Sequence, residues 1–392
     1  MTQPAQTQTL RHARAAVFAL FASFGIVLST WAVHLPALAQ AVEMSNAMTG
    51  TVLLILGIGS LAGMQIVGVI VDRWGTERVA VLGGAALAVA IMVPLAATTV
   101  GEAAVGAFVL GASAGCADVG MNAAAVDVER DYGRPINAAF HAMFSIGTVI
   151  GSLLGAAGFA LQLSTLTTTA TVAAICAVTV GAAFACFRGY RASRVTDPAE
   201  ASVLSPQPDR HHRRRVLLLG ILVFLLLLSE GSAMDWSSLH ARQHLGASAS
   251  LAALAVGAFV VAMTVVRFTV DRVAHAVGRV WVLRGGSIVA AAGILTVIMA
   301  HNLPVVLAGW ALFGLGLAGG VPQVLTAAGN LGGGSARTMS RVVGVGYVAI
   351  LGGPALIGWL VQLVSWEGAF LVPLCALLIC ALGARLVAPN AD

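Results

Sequence analysis

The sequence predicts an all-α integral membrane protein of twelve transmembrane helices arranged as two pseudo-symmetric six-helix bundles. Three observations carry that expectation: composition, the texture of the apolar runs, and the placement of arginine. Of 392 residues, 59% are hydrophobic and only 9% charged, against about 25% charged in a soluble domain, which excludes an ordinary cytosolic enzyme. The apolar runs reach about 20 residues and lack strict alternation, so they cross a bilayer as helices and not as barrel strands. All 21 basic residues are arginine, and they cluster between the runs.

Taken in order, the spans fall at residues 14–38, 49–71, 78–99, 103–126, 137–162 and 166–187, then 215–240, 249–271, 280–300, 304–327, 341–363 and 366–387. Arg11 and Arg14 precede the first run, which has no convincing cleavage site and so reads as a retained helix. The second run ends in Asp72-Arg73 and the third follows Arg78. The fourth carries Asp118 and Asn122 and leaves through the charged turn Asp127 to Arg134, and the fifth carries His141. After the sixth comes the one long hydrophilic interruption, with seven arginines, three acids and three prolines between Arg188 and Arg215. It is too polar to bury a core of its own. The chain therefore divides into an N-terminal bundle (1–187), a cytoplasmic linker (188–214) and a C-terminal bundle (215–392). In the second bundle the seventh run carries Glu230 and Asp235, the tenth Pro322 and Gln323, and the eleventh Tyr347.

With the amino end in the cytoplasm, every arginine except Arg242 falls on the inner side. The positive-inside rule thus gives an even number of spans with both termini cytoplasmic. The two halves also repeat: Asp72-Arg73 returns as Asp271-Arg272 and Gly83-Gly84 as Gly285-Gly286, while Gly111 matches Gly314 and Gly155 matches Gly358. Internal repeats with a substrate site between them near the midplane are a common plan of transporters.

Between the second and third spans, Gly68, Asp72, Arg73, Gly75 and Arg78 stand at the offsets of the signature loop of the major facilitator superfamily, which the chain resembles over nearly its whole length. Gly68 suits close helix approach, and Asp72 can accept from backbone donors at a helix start. Arg73 and Arg78 are expected to pair with acids such as Asp127. The resemblance implies that this cluster, with Asp271 and Arg272 in the second half, is a cytoplasmic gate. The second half departs from the pattern by placing Arg267 four residues before Asp271, where the first has Gly68. Within the superfamily, the stretches Asp118-Val-Gly-Met-Asn122, Glu129-Arg130, His141-Ala-Met-Phe-Ser145 and Glu230-Gly-Ser-Ala-Met-Asp235-Trp236 are similar to the YbjJ-like bacterial transporters. The motifs of proton-driven drug exporters are missing from the fourth and fifth spans.

An ionised carboxylate at mid-bilayer depth costs about 2.5–3.5 kcal/mol on insertion scales, so such residues mark function or a specific partner. Glu230, near the centre of the seventh span, is the first choice for proton coupling. Asp118 and Asn122 share a helix face and read either as a cavity site or as a staple between helices. Asp235 reads as an outer gate or as a solvated carboxylate, and His141 as a proton relay or as a packing residue. Trp31 and Trp236 are candidate aromatic walls, and His34, Gln323 and Tyr347 are further polar candidates for the pathway, with Pro322 expected to break the tenth helix. The five cysteines lack metal or disulfide spacing and read as packing residues.

These features predict a secondary transporter in the bacterial inner membrane, not an enzyme, that moves a small organic solute by alternating access and functions as a monomer. No catalytic constellation, metal site, cofactor or nucleic-acid partner is read from the chain. It has no lysine, hence no phosphate-binding loop for direct ATP use. The expected partners are a small-molecule substrate, protons and the lipid bilayer; one charge crossing 100 mV supplies about 2.3 kcal/mol. Three intramembrane acids favour a neutral or cationic solute, and export of a metabolite or drug is the expected direction. Uptake of a sugar or nutrient, and a transport-inactive sensor on the same fold, are the alternatives.

Overall fold

The computed structural model describes residues 3–133, 136–190, 210–331 and 336–388. Residues 191–209, most of the expected linker, lie outside the described residues, as does Arg134. Among the described residues twelve stretches are long and apolar enough to cross a membrane, and no strand occurs.

The helices are α1 (Gln3–Ala41), α2 (Asn46–Trp74), α3 (Thr76–Ala90), α4 (Met92–Leu95), α5 (Val100–Tyr132), α6 (Asn137–Ala160) and α7 (Thr165–Phe187), followed by α8 (Arg210–Gln243), α9 (Ala249–Arg267), α10 (Val270–Val277), α11 (Arg279–Met299), α12 (Leu303–Leu317), α13 (Gly320–Gly329), α14 (Ala336–Leu363) and α15 (Trp366–Gly383). Three of the predicted spans are interrupted, the eighth between α9 and α10, and a proline explains the other two breaks. Pro94 in α4 has no N–H for the carbonyl of Ala90, where α3 ends, and Pro322 in α13 has none for Ala318, where α12 has just ended. The expected break in the tenth span is therefore real and falls four residues before the proline.

The two ends of the molecule are built differently. The helices that start on the arginine-poor end are capped by side chains: Ser45, Thr99, Ser164, Ser248, Asn302 and Ser365 accept from the free amides of α2, α5, α7, α9, α12 and α15. Each such cap contributes about 1 kcal/mol. On the arginine-rich end, α2 passes into α3 through Gly75 (φ 83°, ψ 149°) and α10 into α11 through Gly278 (φ 88°, ψ 151°). That conformation is essentially open to glycine alone.

These landmarks fix the internal repeat. Ser45 and Ser248, Gly75 and Gly278, and Thr99 and Asn302 are each 203 residues apart, the same separation as the Gly111/Gly314 and Gly155/Gly358 pairs. In that register α2 corresponds to α9 and α10 together, and Arg267 corresponds to Met64. The alignment of Arg267 with Gly68 is thereby corrected: the second Asp-Arg pair sits one helical turn nearer the Ser cap than the first.

Packing follows small residues. Gly59 and Gly63 of α2 lie against backbone of α5 at Phe108 and Ala112, while Gly111 and Gly115 of α5 lie against α2 at Leu56 and Ser60. Helices that lack a hydrophobic drive to associate in lipid gain from such backbone contact. Within the first six spans α1 packs on α6 and α7, and α5 on α2 and α3; within the last six α8 packs on α14, α12 on α9 and α11, and α11 on α15. The two groups meet where α2 faces α14, α6 faces α9 and α1 faces α8.

Candidate functional site

Polar residues of both halves meet along this seam. At the centre, Arg267 at the end of α9 donates through Nη2 to Glu230 Oε1 of α8 at 3.2 Å and through Nη1 to Ser145 Oγ of α6 at 3.3 Å. One guanidinium therefore ties the second six spans to the first. The pair remains partly wet, with 29% of the Arg267 side chain and 21% of the Glu230 side chain exposed. Ser145 itself is buried and donates to the carbonyl of His141, one turn earlier. His141 is exposed, lies edge-on to Phe21 at 5.2 Å, and is within electrostatic reach of Arg267.

A second polar set lies on α5. Asn122 Nδ2 donates to the carbonyl of Asp118 at 2.8 Å and to its Oδ1 at 3.0 Å, so Asn122 serves its own helix. From the other half, Tyr347 of α14 stands within electrostatic reach of the Asp118 carboxylate. Asp235 lies five residues beyond Glu230 on α8, and no hydrogen bond or ion pair reaches it among the described residues.

Other candidates are buried. Trp31 is buried, and His34 is fully packed, with Nδ1 on the Thr30 carbonyl at 2.8 Å and its ring 4.8 Å from Phe159. Trp236 is completely buried against Trp366 and Gly358, so it is a core residue and not a wall of an open cleft. Gln323 is buried in α13 beside the helix break.

At the arginine-rich end, the backbones of Gly68 and Asp72 lie in α2 and that of Asp271 in α10, while their surroundings lie outside the described residues. Arg73, Arg78 and Arg272 are exposed. The expected pairing of Arg73 or Arg78 with Asp127 is corrected. Asp127 accepts from Thr76 Oγ1 at 2.8 Å and from Arg130 Nη1 at 3.3 Å. The Gly75 turn brings Thr76, the first residue of α3, onto α5, and Arg130 stands on the same helix three residues from Asp127, so both acceptor oxygens are taken locally.

Sequence reasoning missed Arg267 as a site residue, because it was counted with the arginines that set topology. The available signal was position: Arg267 stands a full turn before the Asp-Arg pair, too deep in the span for a surface anchor. Also unforeseen is the cluster at the arginine-poor end of α8, where His240 is enclosed by His244, Trp366 and Phe370, and His244 Nε2 lies 3.2 Å from Glu367 Oε1.

Twelve spans in two groups, joined across a sparse polar seam, define a multi-pass membrane transporter. The comparisons give the family. The profile described as Major Facilitator Superfamily matches residues 15–237 and again 219–391, and the chain belongs to that family. It is 33% identical over 371 residues to an uncharacterized MFS-type transporter of Yersinia pestis, covering 93% of this chain and 92% of the relative. It is 31% identical over 350 residues to an uncharacterized transporter of Sinorhizobium fredii, covering 89% and 91%. Among solved structures, the nucleoside transporter NupG matches with a TM-score of 0.71 at 14% identity, over 97% of this chain and 100% of that one. The family and fold are those of transporters, which bind small-molecule substrates and are not enzymes.

Proposed function

We propose that this chain moves a small neutral or cationic organic solute out of a bacterial cell by proton-coupled alternating access, with its arginine-rich end in the cytoplasm. The moving units are residues 1–187 and 215–392. The observation that carries the reading is the Glu230–Arg267–Ser145 link between them. Asp118, Glu230 and Asp235 against Arg267 leave the seam with an excess of acids, which suits a solute without negative charge. Protonation of Glu230 removes the charge that holds Arg267, so proton loading and the inter-half link are coupled through one ion pair. Because the same guanidinium also donates to Ser145 of α6, a neutral Glu230 leaves Arg267 without its ionic partner in α8 and changes the hold of α9 on α6.

The opposite mouth supports a rocking motion about this seam. At the arginine-poor end α2 and α14 approach backbone to backbone, Gly50 at Pro354 and Ala355 and Gly358 at Asn46. Arg242 Nη2 reaches Gln40 at 3.0 Å, and Trp359 Nε1 reaches Thr51 at 3.3 Å. Among the described residues the rest of that contact is van der Waals packing, and on opening Arg242 keeps its bond to the Ala247 carbonyl of its own half.

The test is transport in proteoliposomes under an imposed pH gradient, with a panel of labelled nucleosides, sugars, organic cations and organic anions. The expected result is gradient-dependent movement of at least one neutral or cationic solute and of no anion. Binding without flux of any of them would replace this reading with that of a sensor on a transporter fold.

A further inference from the structure

We infer that the arginine-rich end of the C-terminal half carries a binding surface for an anionic phospholipid, formed by α10, the start of α11 and the end of α15. The first observation is an amphipathic element with no protein on one side. After Arg267 the span breaks and resumes as α10, eight residues long. Phe268 is 57% exposed and Trp281 63%, and Val273 and Val277 between them are exposed as well. A short helix that shows valines to its surroundings beside an exposed tryptophan has the make-up of a segment lying in the headgroup boundary, where an indole ring is favoured.

The second observation is charge. Arg272 and Arg385 are exposed and Arg279 half-buried around this apolar strip, and His275 is exposed on α10 itself. Arg284 is held in place by donating through Nε to the Ala381 carbonyl at 3.2 Å, with its guanidinium 5.8 Å from the Trp281 ring centre. Arg385 follows one turn beyond Ala381, in the 3-10 helix Ala384–Val387 that packs on α11. Four guanidinium groups thus border one exposed apolar strip. Acids to balance them are few: from residue 245 onward the sequence has Asp271, Glu367 and Asp392, and Glu367 stands at the far end with His244. Asp271 and Asp392 can offset at most two of the four.

The chemistry that fits is a phosphodiester between arginines with an acyl chain along Phe268, Val273, Val277 and Trp281. Guanidinium groups bind phosphate oxygens in a two-pronged geometry that a choline headgroup, with its own cation, opposes. The occupant is therefore a net-anionic lipid such as phosphatidylglycerol. None of these four arginines takes part in the Glu230–Arg267–Ser145 link, so the inference stands whether or not the proposed coupling does.

The experiment is native mass spectrometry of the purified full chain in detergent, with equal amounts of phosphatidylglycerol and phosphatidylcholine of the same acyl chains. Wild type should retain phosphatidylglycerol preferentially. The Arg272→Gln, Arg279→Gln, Arg385→Gln triple variant should lose that preference, by about fivefold for each arginine removed, from the usual worth of a basic residue beside an anionic surface. The triple lysine variant should keep most of it, and Arg11→Gln, at the exposed start of α1, should keep all of it. Equal retention of the two lipids by wild type, an undiminished preference in the triple glutamine variant, or as large a loss with Arg11→Gln would overturn the inference.

Discussion

Helix α2 and the pair α9–α10 occupy the same stretch of the internal repeat, from an equivalent serine cap to an equivalent left-handed glycine, yet one is continuous and the other broken. In α2 the backbone at Met64 lies against Gly115 of α5, and the helix runs on to Trp74. At the matching position α9 has Arg267, which turns away from its own packing partner to reach Glu230 and Ser145. Two residues later the Thr269 hydroxyl and amide both take the Val266 carbonyl, at 3.1 and 2.9 Å, which replaces the helical ladder by a tighter turn. One repeat thus yields a packing helix in one half and, in the other, a helix that delivers a charge to the seam. What the difference teaches is that duplicated spans keep their caps and turns while individual positions between them are free to acquire a new task.

The largest effect is expected at the position where the two differ most. Arg267→Met gives α9 the side chain found at Met64 and leaves Glu230 without its partner. Breaking a buried pair costs about 3–5 kcal/mol, less here because both side chains are partly exposed, so a loss of about 2 kcal/mol is expected in thermal unfolding in detergent. The double change Arg267→Met with Glu230→Leu should recover most of that stability while transport stays lost. If the double variant is no more stable than the single, the pair is not the reason for Arg267.

A second comparison uses what the halves share. Gly75→Ala and Gly278→Ala should each cost about 1–3 kcal/mol, and by similar amounts, since the two turns differ by only a few degrees. A large inequality would show that the repeat register is wrong. The smallest effect is expected at the N-terminal half's own network of acids, where Tyr190 donates to Asp131 at 2.8 Å. Burial, and then the Asp131 carboxylate, push the Tyr190 hydroxyl well above its ordinary range. With the folded value raised, the stabilisation is present below pH 10 and fades as pH climbs above it. Tyr190→Phe should therefore cost about 1 kcal/mol near neutral pH and show a smaller loss than wild type between pH 9 and 11, followed by unfolding in detergent.

Much of the fold was legible because lipid constrains it so tightly. Charge-poor runs of the right length give spans, and a chain that must satisfy its own backbone in a bilayer gives helices. The break in the tenth span followed from Pro322, although the freed carbonyl is that of Ala318 and not one beside Gln323. Gly75 was legible from motif spacing, and its positive φ supplies the physical reason. The candidate site was less so. Glu230 and Asp118 stand out as acids among apolar residues, but their partners come from other helices: Arg267 lies 37 positions from Glu230, and Tyr347 reaches Asp118 from the opposite half. Trp31, Trp236 and His34 are buried, and their packing was not legible because an aromatic or imidazole side chain packs as readily inside a half as between halves.

The most direct test of the account compares wild type and Glu230→Gln in the same proteoliposomes, using the labelled solute that moves in the panel. The account predicts that the variant still exchanges solute down its gradient but no longer responds to an imposed pH difference. A Glu230→Gln protein that accumulates solute with the pH gradient as wild type does would contradict it.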